Sequence, residues 1–139
     1  MELGRRQGEG LLPAREIARN QDIPLRFLEH QLAALHKAGL VQSLRGAGGG
    51  CSLARDPAEI SLAEVIEVLE GPLSAMFCLD PHEEVSCPQS HACGLQELWS
   101  RVETAVREVF VRTTLADLVA RHGVLQPILS IGRASSLDP

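Results

Sequence analysis

The sequence predicts a mainly α chain with one small β-hairpin: a helix-turn-helix carrying the hairpin as a wing, followed by a long helix built for pairing. Three stretches predict it. Leu11 to Ala38 holds two helical runs around a tight turn. Gly39 to Pro57, GLVQSLRGAGGGCSLARDP, sets two strand-like runs on either side of a glycine loop. Leu95 to Phe110 repeats apolar residues close to the 3.5 spacing of helices that pair.

In the first stretch, Leu11 to Gln21 reads as a short helix with Pro13 in its first turn and Leu12, Ile17 and Ala18 facing inward. Asp22-Ile23 makes the turn. Pro24 then opens a second helix at a position where its missing N–H costs nothing. Leu25, Leu28, Leu32 and Leu35 fall on one face of that helix, and Arg26, Glu29, His30, Ala33 and Lys37 on the other. Mixed polar groups near the start of a second helix suit a helix that enters a DNA groove, and equally an ordinary helical hairpin with a solvated face. Gly39 is the expected stop.

The hairpin separates these two possibilities. Leu40–Leu44 and Cys51–Ala54 read as strands around Arg45-Gly46-Ala47-Gly48-Gly49-Gly50. A glycine-rich tip turns sharply and lets backbone and one arginine approach another surface closely. A helix followed by such a hairpin is how a winged helix-turn-helix meets DNA.

Beyond the hairpin, Ser61 and Glu64 form a capping box and Ile60 with Val65 a hydrophobic staple, so a helix starts there. Leu62, Val65, Ile66 and Leu69 make its buried face, Glu64, Glu67 and Glu70 its solvated one, and Gly71-Pro72 its end. Leu73 to Ala92 has little periodicity, two prolines, Cys78, Cys87, His82 and His91. A loop this long is usually functional or disordered. Leu95, Leu98, Trp99, Val102, Val106, Val109 and Phe110 then form an amphipathic helix longer than one small domain can cover, which favours a homodimer. Thr114 with Asp117 starts a shorter helix, Leu115–His122, stopped by Gly123, and residues 123–139 read as a flexible tail.

Composition bounds the function. One compact domain with an appendage suits 139 residues, of which 45% are hydrophobic and 3% aromatic. No apolar run reaches membrane-spanning length, and MELGRRQGEG lacks a signal peptide's hydrophobic segment, so the expectation is a cytoplasmic chain with no membrane partner. Four cysteines in that compartment point to metal or redox chemistry before disulfides. The net charge of −5 is uneven. Residues 1–60 carry eight Arg/Lys against seven Asp/Glu, and residues 61–139 five against eleven, so the acid lies away from the proposed DNA-binding half. The glycine loop is followed by a strand and lacks a phosphate-loop lysine, and no nucleophile–base set stands out, so an enzyme is not expected.

The run from Glu16 to Leu73, EIARNQDIPLRFLEHQLAALHKAGLVQSLRGAGGGCSLARDPAEISLAEVIEVLEGPL, with three later cysteines, a tryptophan after the third, and TLADL at Thr114–Leu118, resembles the Rrf-type family of bacterial winged helix-turn-helix transcriptional regulators (IscR/NsrR/CymR-like). The resemblance covers roughly Leu11 to Arg121. It implies a dimeric regulator, usually a repressor, bound to a pseudo-palindromic operator on double-stranded DNA. Arg26, Glu29 and His30 then lie where family members meet base edges, Arg45 where the wing enters the minor groove, and Gly46, Gly48 and Gly49 where backbone N–H groups reach phosphate. Cys51 stands where the family usually has an aromatic residue and reads as a small half-buried strand residue. Cys78, Cys87 and Cys93 fall where relatives hold an iron–sulfur cluster, so a 2Fe–2S cofactor is the implied sensor of iron–sulfur, nitric oxide or redox state. IscR-like members place a histidine ligand three residues after the third cysteine, and Gln96 occupies that position here. MELGRRQGEG matches the end of the family's first helix, so a shortened first helix is expected, leaving Ile17, Leu28 and Leu32 with less apolar cover.

The organisation is thus a DNA-binding domain at 1–72, a cysteine-bearing sensor loop at 73–93, dimerisation helices at 94–122 and the tail. Two other readings stand beside cluster sensing: a cluster-free regulator using reversible thiol oxidation, and a truncated member that serves as a dimerisation or protein-interaction module without binding DNA.

Overall fold

The computed structural model describes residues 1–46, 48–73 and 93–122. A helical turn, α1 (Glu2–Arg5), opens the chain, and its Glu2 accepts a hydrogen bond from the Gln21 side chain at 3.1 Å. Helix α2 (Ala14–Gln21) starts later than expected. Leu11 and Leu12 are outside it because Pro13 disfavours helical geometry in the residue before it. Leu12 instead exchanges two backbone hydrogen bonds with Cys51, both 2.9 Å, and adds a one-residue rung to the wing.

Both turns that frame the next helix close by the same device. At the end of α2, Asp22 takes φ of 51°, and the N–H of Ile23 donates back to the Ala18 carbonyl at 3.0 Å. An aspartate tolerates this left-handed position better than most residues. Helix α3 (Leu25–Lys37) ends with Gly39 at φ of 73°, Gly39 N–H donating to His36 and Leu40 N–H to Leu35. That is a complete Schellman motif, and Leu40 and Leu35 both pack at the core.

Strands β1 (Val41–Leu44) and β2 (Gly50–Leu53) pair antiparallel, Val41 opposite Leu53 and Leu44 opposite Gly50. Val41, Cys51 and Leu53 point into the core with Ile17, Leu28 and Leu32. Cys51 is therefore buried rather than half-buried. A 3₁₀ turn (Pro57–Glu59) leads to α4 (Leu62–Glu70), whose capping box is present as expected: Glu64 N–H donates to Ser61 Oγ at 3.2 Å, and Ser61 N–H to Glu64 Oε2 at 2.8 Å. Helix α5 (Gly94–Arg112) follows, and residues 115–122 form a helix, α6.

Among the described residues Ile60 is the most enclosed side chain, with 0% exposure. It lies where two segments distant in sequence meet: Leu115 N–H donates to the Ile60 carbonyl at 2.9 Å, and Leu62 N–H to the Thr113 carbonyl at 2.7 Å. Thr114 and Asp117 form a second capping box directly across the Ser61–Thr114 bridge. Two helix starts are thereby locked back to back, and this joint ties α5 and α6 to the helix-turn-helix and its hairpin. Ile17, Leu28 and Leu32 are buried, with Leu3 of α1 against them, yet an apolar cavity of about 310 Å³ remains between α1, α3 and Leu115.

Helix α4 departs from the expected amphipathic pattern. Ala63 is its buried residue, while Leu62, Val65, Ile66 and Leu69 are half-buried, because the helix is shared between α3 on one side and α5 on the other. Nor are its glutamates simply solvated. Glu64 pairs with Arg55 at 2.6 Å and Glu67 with Arg107 of α5, leaving Glu70 exposed.

The Arg55 hydrogen bond, with help from the Ser61 backbone N–H, holds the Glu64 carboxyl below the usual carboxylate range. A lowered native value means the contribution is fully present above the ordinary glutamate value of about 4.3 and is lost as pH falls through the native one. Thermal melts of wild type and Glu64→Gln should therefore differ most near pH 6, and the difference should shrink steadily as pH falls below about 4.3. A constant difference across that range would count against the ion pair.

Candidate nucleic-acid interface

The wing and α3 enclose an open cleft of about 580 Å³. Its walls are Glu29, Ala33 and His36 from α3, Ser43 to Gly46 with Gly49 from the wing, and Ala14 and Arg15 from the start of α2. Of the residues expected to meet DNA, Glu29, Arg45, Gly46 and Gly49 are thus brought together on one cleft. Arg26 and His30 are exposed on the outer surface of α3, four residues apart and so one above the other. Gly48 is exposed at the wing tip.

The tip is tightly made. Gly49 N–H donates to the Gly46 carbonyl at 3.0 Å, Gly46 has φ of 121°, and a Cβ on Gly49 would stand 2.3 Å from the Leu44 carbonyl oxygen. Glycine is required at both positions for these separate reasons. The base of the cleft is braced by His36, whose Nδ1 lies 3.0 Å from the Val41 carbonyl oxygen. A carbonyl only accepts, so Nδ1 carries the proton in this contact. Among the described residues, Arg15, Arg26 and Arg45 have no acidic partner within 4.0 Å, whereas Arg6, Arg55 and Arg107 do. Arg15 and His36 were not among the expected contacts. Arg15 is visible in sequence only as an exposed residue at the start of the first helix of the pair, the helix that crosses the DNA backbone in this motif.

Of the three expected cluster ligands, Cys93 is described and Cys78 and Cys87 lie outside the described residues. Cys93 is the N-cap of α5, a half-buried free thiol, and Gln96 lies in the helix's first turn. Among the described residues, no three His, Cys, Asp or Glu side chains converge as a metal site. Cys51 sits in the wing with its sulfur 3.8 Å from Ser43 Oγ, well embedded in packing.

Residues 1–121 match the family defined as Rrf2, iron-dependent transcriptional regulator. The chain belongs to the Rrf2 family. It is 38% identical over 120 residues to the HTH-type transcriptional regulator CymR of Bacillus subtilis, covering 86% of this chain and 80% of that one. To IscR of Sodalis glossinidius it is 32% identical over 121 residues, covering 87% and 72%. Among solved structures, CymR (YrzC), described as the global cysteine regulator of B. subtilis, superposes with a TM-score of 0.71 at 37% identity over 86% of each chain. IscR of T. potens gives 0.70 at 34%, covering 90% of this chain and 80% of its own, and the oxidized form of Staphylococcus aureus CymR gives 0.66 at 31%, covering 85% and 84%. This Rrf2-family chain is therefore a DNA-binding transcriptional regulator, not an enzyme, with the winged-helix fold expected of it. No helix among the described residues is long and apolar enough to cross a membrane.

Proposed function

We propose that this Rrf2-family protein works in the cytoplasm as a homodimer that binds a pseudo-palindromic operator, and that Cys78, Cys87 and Cys93 form its sensing site. The observation that carries the dimer is α5. None of its 19 residues is buried, and Leu95, Trp99, Val102, Val106 and Val109 follow one another in steps of four, three, four and three with 37–60% exposure. Among the described residues that is a heptad seam without a partner, about 21 Å from Leu95 to Val109 at 1.5 Å per residue. Pairing it with the same seam of a second copy sets two recognition helices at a fixed separation, and a two-fold dimer reads two half-sites. On the DNA, Arg26, Glu29 and His30 meet base edges, Arg45 enters the minor groove, and the N–H groups of Gly46, Gly48 and Gly49 approach phosphate.

For sensing, the three thiolates would hold an iron–sulfur cluster, which supplies one-electron chemistry and sensitivity to oxidants when bound. Cys93 caps α5, so a change at the cysteines reaches the dimer helix directly, and the Glu67–Arg107 pair and the Ile60–Leu115 joint carry it to α4 and the wing.

A second reading has its own support. Gln96 offers an amide where IscR-like members have a histidine, and the relatives include a CymR whose structure is of an oxidized form. Two of the thiols would then give up two electrons and two protons to peroxide, forming a disulfide and two waters.

The test is anaerobic purification, with visible absorption and iron and sulfide analysis, followed by operator binding in reduced and oxidised states. Stoichiometric iron and sulfide would support the cluster. A colourless protein whose binding follows the thiol–disulfide state would support the second reading. Cys87→Ala should abolish state dependence while leaving the dimer intact, and a variant regulated like wild type would refute the sensor role. A dimer that selects no DNA sequence would leave the protein-interaction module.

A further inference from the structure

The first two turns of α3 divide between two environments. Leu25 and Leu28 pack at the core, while Arg26, Phe27, Glu29 and His30 stand in solvent. Phe27 is the member that charge and hydrogen bonding do not account for. It is 57% exposed, in a chain with only three phenylalanines, one tryptophan and no tyrosine. The other described aromatics have evident places, Trp99 in the α5 seam and Phe110 half-buried on the same helix. Phe27 belongs to neither the core nor the seam. His30 is its neighbour one turn on, so the ring lies at the margin of the surface that carries the expected base contacts.

A solitary exposed apolar side chain means little on an ordinary surface. This one stands third in a helix whose first residues enter the major groove. A phenyl ring neither donates nor accepts, so a base edge with unsatisfied polar groups repels it. The major groove offers one apolar feature, the 5-methyl group of thymine. We propose that Phe27 reads a thymine methyl in each half-site, making it a specificity determinant beside Arg26, Glu29 and His30. At cytosine the ring would cover an amino donor without replacing its hydrogen bond. The inference rests on the DNA-binding mode proposed above and deepens it.

The experiment begins with selection from a random duplex pool by the full chain. Each thymine of the selected half-site is then replaced, one at a time, with deoxyuridine, which removes the methyl and leaves pairing intact. At one thymine position wild type should lose about fourfold in affinity per half-site, the effect of one methyl returned to water. Phe27→Ala should bind the thymine and uracil duplexes equally. Because Phe27 is exposed, the variant should melt like wild type; if it does not, the wild-type comparison alone decides. Wild type indifferent to every uracil would overturn the inference. So would a Phe27→Ala variant that keeps the discrimination, since another residue would then read the methyl. A pool that yields no preferred sequence would overturn the DNA-binding mode itself.

Discussion

Val102→Glu with Val106→Glu should convert the proposed homodimer to monomer at micromolar concentration and lower operator affinity by at least about 100-fold. The two positions are successive members of the heptad seam, 39% and 41% exposed in the single chain, so neither supports the chain's own core. Each valine buried in a dimer contributes roughly 1.5 kcal/mol, and a carboxylate in its place removes that and adds a desolvation cost. Two-fold symmetry then sets four glutamates along one interface. Once the dimer is gone, the second half-site no longer binds as an intramolecular event, and the avidity of about 10²–10⁴ that linkage confers is lost. Sedimentation equilibrium and mobility shift read the two effects separately, with circular dichroism to confirm unchanged helix content. Ser100→Glu, exposed and off the seam, should leave both as in wild type. A double variant that stays dimeric would place the interface elsewhere.

Gly50→Ala should cost about 3 kcal/mol or more of folding stability, a larger effect than any substitution at the wing tip that meets open space. A Cβ at Gly50 would lie 2.7 Å from the Leu12 carbonyl carbon, 2.8 Å from its oxygen and 3.0 Å from its nitrogen. All three are backbone atoms and cannot rotate away. The two Leu12–Cys51 hydrogen bonds must break, at about 1 kcal/mol each, and Leu12 must leave the core, which costs about 2 kcal/mol more. Gly48→Ala is the control, since nothing lies within 4 Å of its Cβ position and its φ is not in the left-handed range. Urea denaturation of the two variants checks this. Equal stability would mean that Leu12 is not paired with the wing.

Features decided within a few residues were legible in sequence. The stop at Gly39, the Ser61–Glu64 and Thr114–Asp117 capping boxes, the Asp22-Ile23 turn and the two strands depend on hydrogen bonds that span six residues or fewer, or on one tight hairpin. The long helix and its seam follow from periodicity alone. At the site, Glu29, Arg45, Gly46 and Gly49, which the family resemblance singled out, line one cleft because a glycine-tipped hairpin packs beside the helix that precedes it.

What only the tertiary structure decided has one physical source, contact between segments far apart in sequence. Leu12 reads as a helical residue until Cys51, thirty-nine positions away, offers it a backbone partner. Glu67 reads as solvated until Arg107 reaches it from α5, and Ser61 and Thr114 show no relation until their bridge places two helix starts side by side. Exposure is decided in the same way at Phe27. Helical spacing puts Leu28 on the inward face and leaves Phe27 off it, but only the packed structure shows that no other segment among the described residues covers the ring. The sequence by itself therefore determined most of the elements and the regulator family; the three-dimensional packing decided where α2 begins, which arginines are bound to glutamates, which have no acidic partner among the described residues, and which aromatic ring faces outward beside them.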